Sequence, residues 1–187
     1  MSAAASVAAT SKAAVKQASS TVYLFRHIQT AQVLVSMQKT VERQNLKQIT
    51  DETRRPAHVR HDHWHPLAAV KGLPDHKAAL SLHNSLRDHQ LNMHQRQFVQ
   101  NKEHMAQPKR LRAPQEMNQV ETTLVKLVEL LNEQPALKAS KGQGVEILWE
   151  RDGVRKQILE KEGLPTLLEG IQHGELVIKR GRDIANA

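Results

Sequence analysis

Three stretches in the first part of the chain have the hydrophobic pattern of β-strands. Residues 21–26 are rich in β-branched and aromatic residues, with Val22 and Leu24 on one face and Tyr23 and Phe25 on the other, which predicts a strand in the interior of a sheet. Residues 32–37 alternate after a short connection, so the two stretches are predicted to form an antiparallel hairpin. Residues 64–71 are predicted to form a third strand.

The apolar spacing changes to that of a helix after Pro74. The residues that carry this apolar stripe are Ala79, Leu82, Leu86 and Met93. Asp75 is placed to cap the helix, which is predicted to cover residues 75–105. Beyond the stripe the helix becomes polar, with only Phe98 and Val99 apolar, so we expect its far half to need a partner outside the domain.

A second helix is predicted for residues 115–132, after a break at residues 108–114, which read PKRLRAP. Its wide apolar face consists of Met117, Val120, Leu124, Leu127, Val128 and Leu131. The remaining elements are predicted to be a short helix at 40–49, a strand at 145–149, short helical pieces at 155–162 and 164–170, and a short last strand at 176–178.

Together these elements predict an α+β fold, a small and mostly antiparallel sheet packed by two main helices with polar basic extensions. The expected organisation is a basic Ala/Ser-rich tail or targeting segment at 1–20, an α+β core at 21–150, and a C-terminal extension at 151–187. The tail has no acidic residue, which fits a mitochondrial transit peptide, but it also lacks the arginines usual in one.

Composition removes several function classes. The chain has 187 residues and no cysteine, which excludes a disulfide framework, a thiolate nucleophile and cysteine-based metal sites. No apolar run is long enough to span a bilayer, so no integral membrane association is expected. There is no P-loop, GxSxG or GxGxxG motif, so the protein is expected to be no enzyme and to need no cofactor.

Charge is the strongest compositional signal, with a net charge of +8 that is unevenly distributed. Residues 1–60 carry 9 basic and 3 acidic side chains, and residues 61–113 carry 8 and 4. Residues 114–187 carry 10 basic and 12 acidic side chains. This asymmetry favours contact with a polyanion through the first part of the chain, and the alternative is a basic surface without a partner.

The predicted nucleic-acid-binding residues lie in polar, extended or linking segments. They are Lys12, Lys16, Arg54, Arg55, Arg60, His61, His63, Lys109, Arg110, Arg112, Lys179, Arg180 and Arg182. Such side chains bind phosphates and give affinity more than sequence choice. Three aromatic residues, Tyr23, Phe25 and Trp64, could stack on bases, but their strand context favours packing in the core.

Histidines are concentrated between residues 58 and 104, where nine of the eleven lie. If the chain is extended there, His61, His63 and His65 project to one side, as in a three-histidine metal site. The neighbouring Arg60 favours phosphate contact instead, and no metal is predicted. On the long helix, His83 and His94 are expected to face solvent or RNA.

Several short motifs carry a resemblance to a known family. They are Tyr23-Leu24-Phe25-Arg26, Gln32-Val33-Leu34 with Ser36, Asn45-Leu46, Arg60, Asp62 and Trp64 before an apolar strand, and the later Ile147-Leu148-Trp149-Glu150. In order and spacing they resemble fungal mitochondrial homologous recombination proteins that are also components of the mitochondrial large ribosomal subunit. The resemblance covers residues 21 to about 105 well and the element at 147–150 more weakly, and it includes no catalytic motif.

The resemblance implies a structural protein of the mitochondrial large ribosomal subunit. Its expected partners are mitochondrial rRNA and neighbouring ribosomal proteins, and its expected location is the mitochondrial matrix. The alternative that the resemblance implies is a mitochondrial DNA-binding factor for homologous DNA pairing, recombination and transcription regulation, with mitochondrial DNA as the partner. Both alternatives use the same basic surface, because phosphates of DNA and RNA look alike to lysine and arginine.

Overall fold

The structure, a computed structural model, describes residues 21–41, 45, 63–150 and 166–177. Its strands are β1 Val22–His27, β2 Val33–Ser36, β3 Trp64–Lys71, β4 Glu146–Trp149 and β5 Gln172–Glu175. Its helices are α1 His76–His94, α2 Lys102–Ala106, α3 Lys109–Met117, α4 Val120–Glu133 and α5 Pro135–Ala139. A single π-helical turn, Gln95–Val99, continues α1.

The strands form one sheet in the order β2-β1-β3-β4-β5. All neighbouring pairs are antiparallel except β4 and β5, which run parallel. The predicted α+β class, the β1–β2 hairpin and the interior position of β1 are therefore confirmed. The third predicted strand has the bounds expected for it, Trp64–Lys71.

Helices α1 and α4 pack on one face of the sheet, where the main core lies. The side chains that α1 and α4 contribute to that core are Ala79, Leu82, Leu86, Leu124, Leu127, Val128 and Leu131. They meet the strand residues that share their face, among them Val22, Leu24, Val33 and Val35. The apolar residues that recur every 3.6 positions in the helices thus pack against those that recur every two positions in the strands, and together they form a single apolar layer.

The opposite face of the sheet carries a smaller aromatic cluster. Phe25, Leu34 and Trp64 are buried there, and Tyr23 and Val41 pack against them. Phe25 and Trp64 are therefore core residues, as their strand context predicted, rather than free stacking surfaces. Both faces of β1 are covered, which agrees with its sequence.

The long helix predicted for residues 75–105 is interrupted. It begins as expected, with the Asp75 side chain accepting a hydrogen bond from the Ala78 amide, but α1 ends at His94. After the π-helical turn, Asn101 adopts an extended conformation and its side chain caps α2 by accepting from the amides of Glu103 and His104. An asparagine cap starts a new helix because it satisfies amides that would otherwise lack partners.

The predicted break at residues 108–114 is wrong, because most of this stretch is helical. Pro108 precedes α3, but Pro114 lies inside it, and the helix continues to Met117. An internal proline costs about 3 kcal/mol or more in a helix. The buried Glu116 of this helix bonds to His104 of α2, a tertiary contact that holds α3 against its neighbour. The next helix, α4, accordingly begins at Val120 rather than at 115.

The C-terminal elements also differ from expectation. The last strand is Gln172–Glu175, and residues 176 and 177, where a strand was predicted, lie beyond it. Residues 166–170 form coil and a turn instead of the predicted helix. Leu167 and Ile171, assigned on sequence grounds to a C-terminal extension, contribute to the main core.

Other predicted elements lie outside the described residues. The short helix at 40–49 does so except for Thr40, Val41 and Asn45, and the helical piece at 155–162 does so entirely. Asn45 is buried, and its side-chain amide donates a hydrogen bond to the Ser36 hydroxyl at the end of β2.

Two glycines with positive φ lie where the backbone segments after β3 and before β4 approach each other. Gly72 has φ +79°, and a Cβ added there would collide with the carbonyl of Gly144. Gly144 has φ +84°, but a Cβ there would meet nothing within 4 Å. We expect Gly72→Ala to lower the free energy of unfolding in urea by more than about 2 kcal/mol, since backbone strain and a steric clash combine.

Gly144→Ala is the matched control, because it carries the strain of a positive φ without the clash. It is expected to cost about 1 kcal/mol. Equal losses for the two variants would show that the close approach of Gly72 to Gly144 contributes nothing to stability.

Candidate nucleic-acid interface

Only part of the predicted interface can be placed. The predicted residues within the described part of the chain are His63, Lys109, Arg110 and Arg112. Those outside it are Lys12, Lys16, Arg54, Arg55, Arg60, His61, Lys179, Arg180 and Arg182. Three of the four placed residues lie on α3, whereas His63 immediately precedes β3.

Residues 95–117, which we call the helical arm, connect the two helices of the core. The arm comprises the π-helical turn, α2 and α3. Its exposed cationic side chains are Arg96, Lys102, Lys109 and Arg110. Glu103 is the single exposed carboxylate among these residues. The helical arm therefore presents an excess of positive charge to solvent, as a phosphate-binding surface requires.

A small core of its own holds the helical arm in place. The Phe98 ring lies between two histidines, with centroid distances of 5.7 Å to His94 and 4.8 Å to His104. His104 Nε2 lies 3.1 Å from Glu116 Oε1, and both side chains are buried. The expectation that His94 faces solvent or RNA is therefore wrong. The far half of the predicted long helix also finds partners within the chain itself.

Arg112 differs from the two basic residues before it. Its side chain is 20% exposed, and its Nε lies 3.8 Å from Glu116 Oε1, one helical turn away. Its guanidinium also contacts the sulfur of Met105 on α2. Arg112 thus joins α2 to α3, whereas Lys109 and Arg110 are exposed at the start of α3. Lys109 and Arg110 are therefore positioned to reach a phosphate, whereas Arg112 holds the arm together.

His63 belongs to a second cluster, at the end of β1. His27 is 1% exposed, and its ring lies edge-on to His63 and to Trp64, at centroid distances of 5.3 and 5.1 Å. His27 Nδ1 accepts hydrogen bonds from the amides of Gln29 and Thr30, at 3.3 and 3.2 Å. The neutral ring must therefore carry its proton on Nε2. Burial, and secondarily the charge of His63, lower the pKa of His27.

His63 is consequently in contact with the core rather than held out on a free strand face. Among the described residues, no three His, Cys, Asp or Glu side chains are grouped so that they could hold a metal ion. His61 lies outside these residues, so the roles assigned to His61, His63 and His65 stay predictions.

Sequence reasoning missed the residues that position this interface. Glu116 and His104 pair across twelve positions of sequence, and no local periodicity marks such a pair. The Asn101 cap had a local signal, an asparagine followed two residues later by Glu103. His27 had none, because its role depends on the turn that folds back onto its ring.

The described residues form an α+β unit with a basic helical arm, and none of their helices is long and apolar enough to cross a bilayer. Residues 19–103 match the Mhr1 family model, which is described as transcriptional regulation of mitochondrial recombination. The matched segment includes β1 to β3 and α1, and it ends within α2. No curated protein was found to match the chain.

The family match bears on the two functions that the sequence motifs implied. It supports mitochondrial recombination and transcription regulation, and it gives no support to a place in the ribosome. The match covers a little under half of the chain, and Lys109 and Arg110 lie beyond it. The basic helical arm is therefore mostly a feature of this chain outside the matched segment.

The buried His27 predicts a pH dependence of stability. Because its pKa is lower in the folded protein than its ordinary value of 6.5, the unfolded chain takes up the proton first as the pH falls. The free energy of unfolding is therefore expected to decrease below about pH 6.5 and to level off once the folded form is protonated. Urea denaturation between pH 5 and pH 8 measures this.

His27→Gln isolates the contribution of His27, because the pKa of His89 is also lowered, chiefly by burial. The variant should be less stable at every pH but should lose less stability than the wild type on acidification. Parallel losses in the two proteins would contradict the assignment to His27.

Proposed function

We propose that this protein is a non-enzymatic DNA-binding protein of mitochondria that acts in homologous DNA recombination and its transcriptional regulation. The observation that carries the proposal is the family match over residues 19–103, whose description concerns these processes. Of the two functions implied by the sequence motifs, we expected a role in the ribosomal large subunit. The family match favours the recombination alternative instead, and rRNA binding becomes an outcome that the experiments distinguish.

The helical arm supplies a surface for such a partner. Lys109 and Arg110 stand on a helix that the His104–Glu116 pair fixes from behind. Because the helix backbone is already positioned, these cations reach a polyanion without ordering of the backbone, and each one displaces counterions from it. Contacts of this type are independent of base sequence, as a protein acting on any pair of homologous strands requires.

Replacing Lys109 and Arg110 together with serine tests this surface. Both side chains are exposed, so the free energy of unfolding should change by no more than about 0.5 kcal/mol for each. The slope of log affinity against log salt for duplex DNA should fall in magnitude by about 1.8, since about 0.9 is lost for each phosphate contact. Fluorescence anisotropy at several salt concentrations measures the slope.

Two further variants serve as controls. Lys77 and Lys138 are exposed cations outside the helical arm, and their joint replacement by serine should leave the slope unchanged. Arg112→Ser should instead destabilise the protein, by about 1–2 kcal/mol, because it takes a charged partner from the buried Glu116. If both double variants reduce the slope equally, binding is spread over the whole surface and the helical arm has no special part in it.

The choice between DNA and rRNA is tested with the full chain in mitochondria. We expect the protein to sediment with mitochondrial DNA at physiological salt and to be released by DNase. In vitro it should promote pairing of a single strand with a homologous duplex without nucleotide hydrolysis. Sedimentation with the large ribosomal subunit, and release by RNase alone, would reject the proposal in favour of the ribosomal function.

A further inference from the structure

The helical arm exposes apolar side chains as well as cations. Seven large hydrophobic residues are exposed in the described part of the chain, and three of them, Val99, Met105 and Leu111, lie in the arm. Phosphate contacts alone give no reason for apolar groups at such a surface. Their exposure to water is unfavourable by an amount that a partner can recover by covering them.

Leu111 is the most exposed of the three, at 55%. It lies in the first turn of α3, directly after the exposed Lys109 and Arg110. The following residue, Arg112, is tied to Glu116 and so fixes this turn against the small core of the arm. Leu111 is therefore an exposed apolar side chain in a helical turn that also carries two exposed cations, which project in other directions around the helix axis.

We propose that Leu111 inserts between stacked base pairs of duplex DNA while Lys109 and Arg110 bind the neighbouring phosphates. This inference rests on the proposed function and adds to it a binding mode. Apolar wedges of this kind partly unstack a base step and kink the duplex, and the energy of unstacking is offset by the contacts that bent DNA makes. The local opening would expose base edges for comparison with a second strand.

Charge favours DNA over a protein as the occupant. An apolar protein groove that received Leu111 would also bring the two cations of the same helical turn close to an apolar surface, which is costly without matching carboxylates. In a duplex the long, flexible side chains of these cations can instead reach the phosphates near the opened step. The arm has four exposed cations and one exposed carboxylate, and this excess matches a polyanion.

The test uses the full chain and a duplex with 2-aminopurine next to a central TA step, because such steps unstack easily. Binding of the wild-type protein should increase the 2-aminopurine fluorescence as the base unstacks. Leu111→Ala should abolish this increase. The same variant should keep the wild-type salt dependence of binding, since all phosphate-binding cations are present.

Matched variants separate insertion from general effects of substitution. Leu80 is 43% exposed on α1, outside the helical arm, and Leu80→Ala should leave the fluorescence increase intact. Leu111→Met should retain most of it, because methionine also serves as a wedge.

Two results would overturn the inference while leaving the proposed function in place. One is DNA binding by the wild type without any fluorescence increase. The other is an undiminished increase in Leu111→Ala. Failure of the wild type to bind duplex DNA at all would count against the proposed function itself.

Discussion

The coverage of strand β1 on both of its faces is the constraint on which the rest of the structure depends. Its apolar residues alternate between the main core under α1 and α4 and the aromatic cluster around Trp64. At the end of β1, the buried His27 ring accepts hydrogen bonds through Nδ1 from the amides of the following turn. The turn after β1 is also bonded to the helical layer, because the Gln119 amide just before α4 donates to the Ala31 carbonyl.

The helical layer and the helical arm form one connected arrangement. Gln90 on α1 donates both to the Val33 carbonyl of β2 and to the Thr123 hydroxyl of α4, so the two core helices are held in register with the sheet. The arm spans the distance between the end of one helix and the start of the other. It folds on a polar pair and one aromatic ring instead of on the main core, and its outer surface is left to cations and single apolar side chains.

The sequence was sufficient to predict the elements whose local hydrophobic pattern matches their burial. It was insufficient for the elements whose structure depends on contacts between residues distant in the chain. The first three strands follow from β-branched and aromatic alternation, and α1 and α4 follow from their apolar stripes. Strand β5 has the polar sequence QHGE and pairs through its backbone with the buried β4, so no hydropathy pattern marks it. Helix α3 was missed because Pro114, a residue that usually ends a helix, lies inside it, and the contact of its Glu116 with His104 has no local sequence signal.

The segment that matches the family model is shorter than the unit that folds around one core. The matched residues 19–103 contain three strands and α1, but α4 and β4 come later in the chain. A fragment that ended at residue 103 would leave the apolar residues of β1 and α1 without the helix that covers them, and β3 with an open edge. The matched segment therefore relies on α4 and β4, which lie beyond it in the chain, to cover its apolar face and its sheet edge.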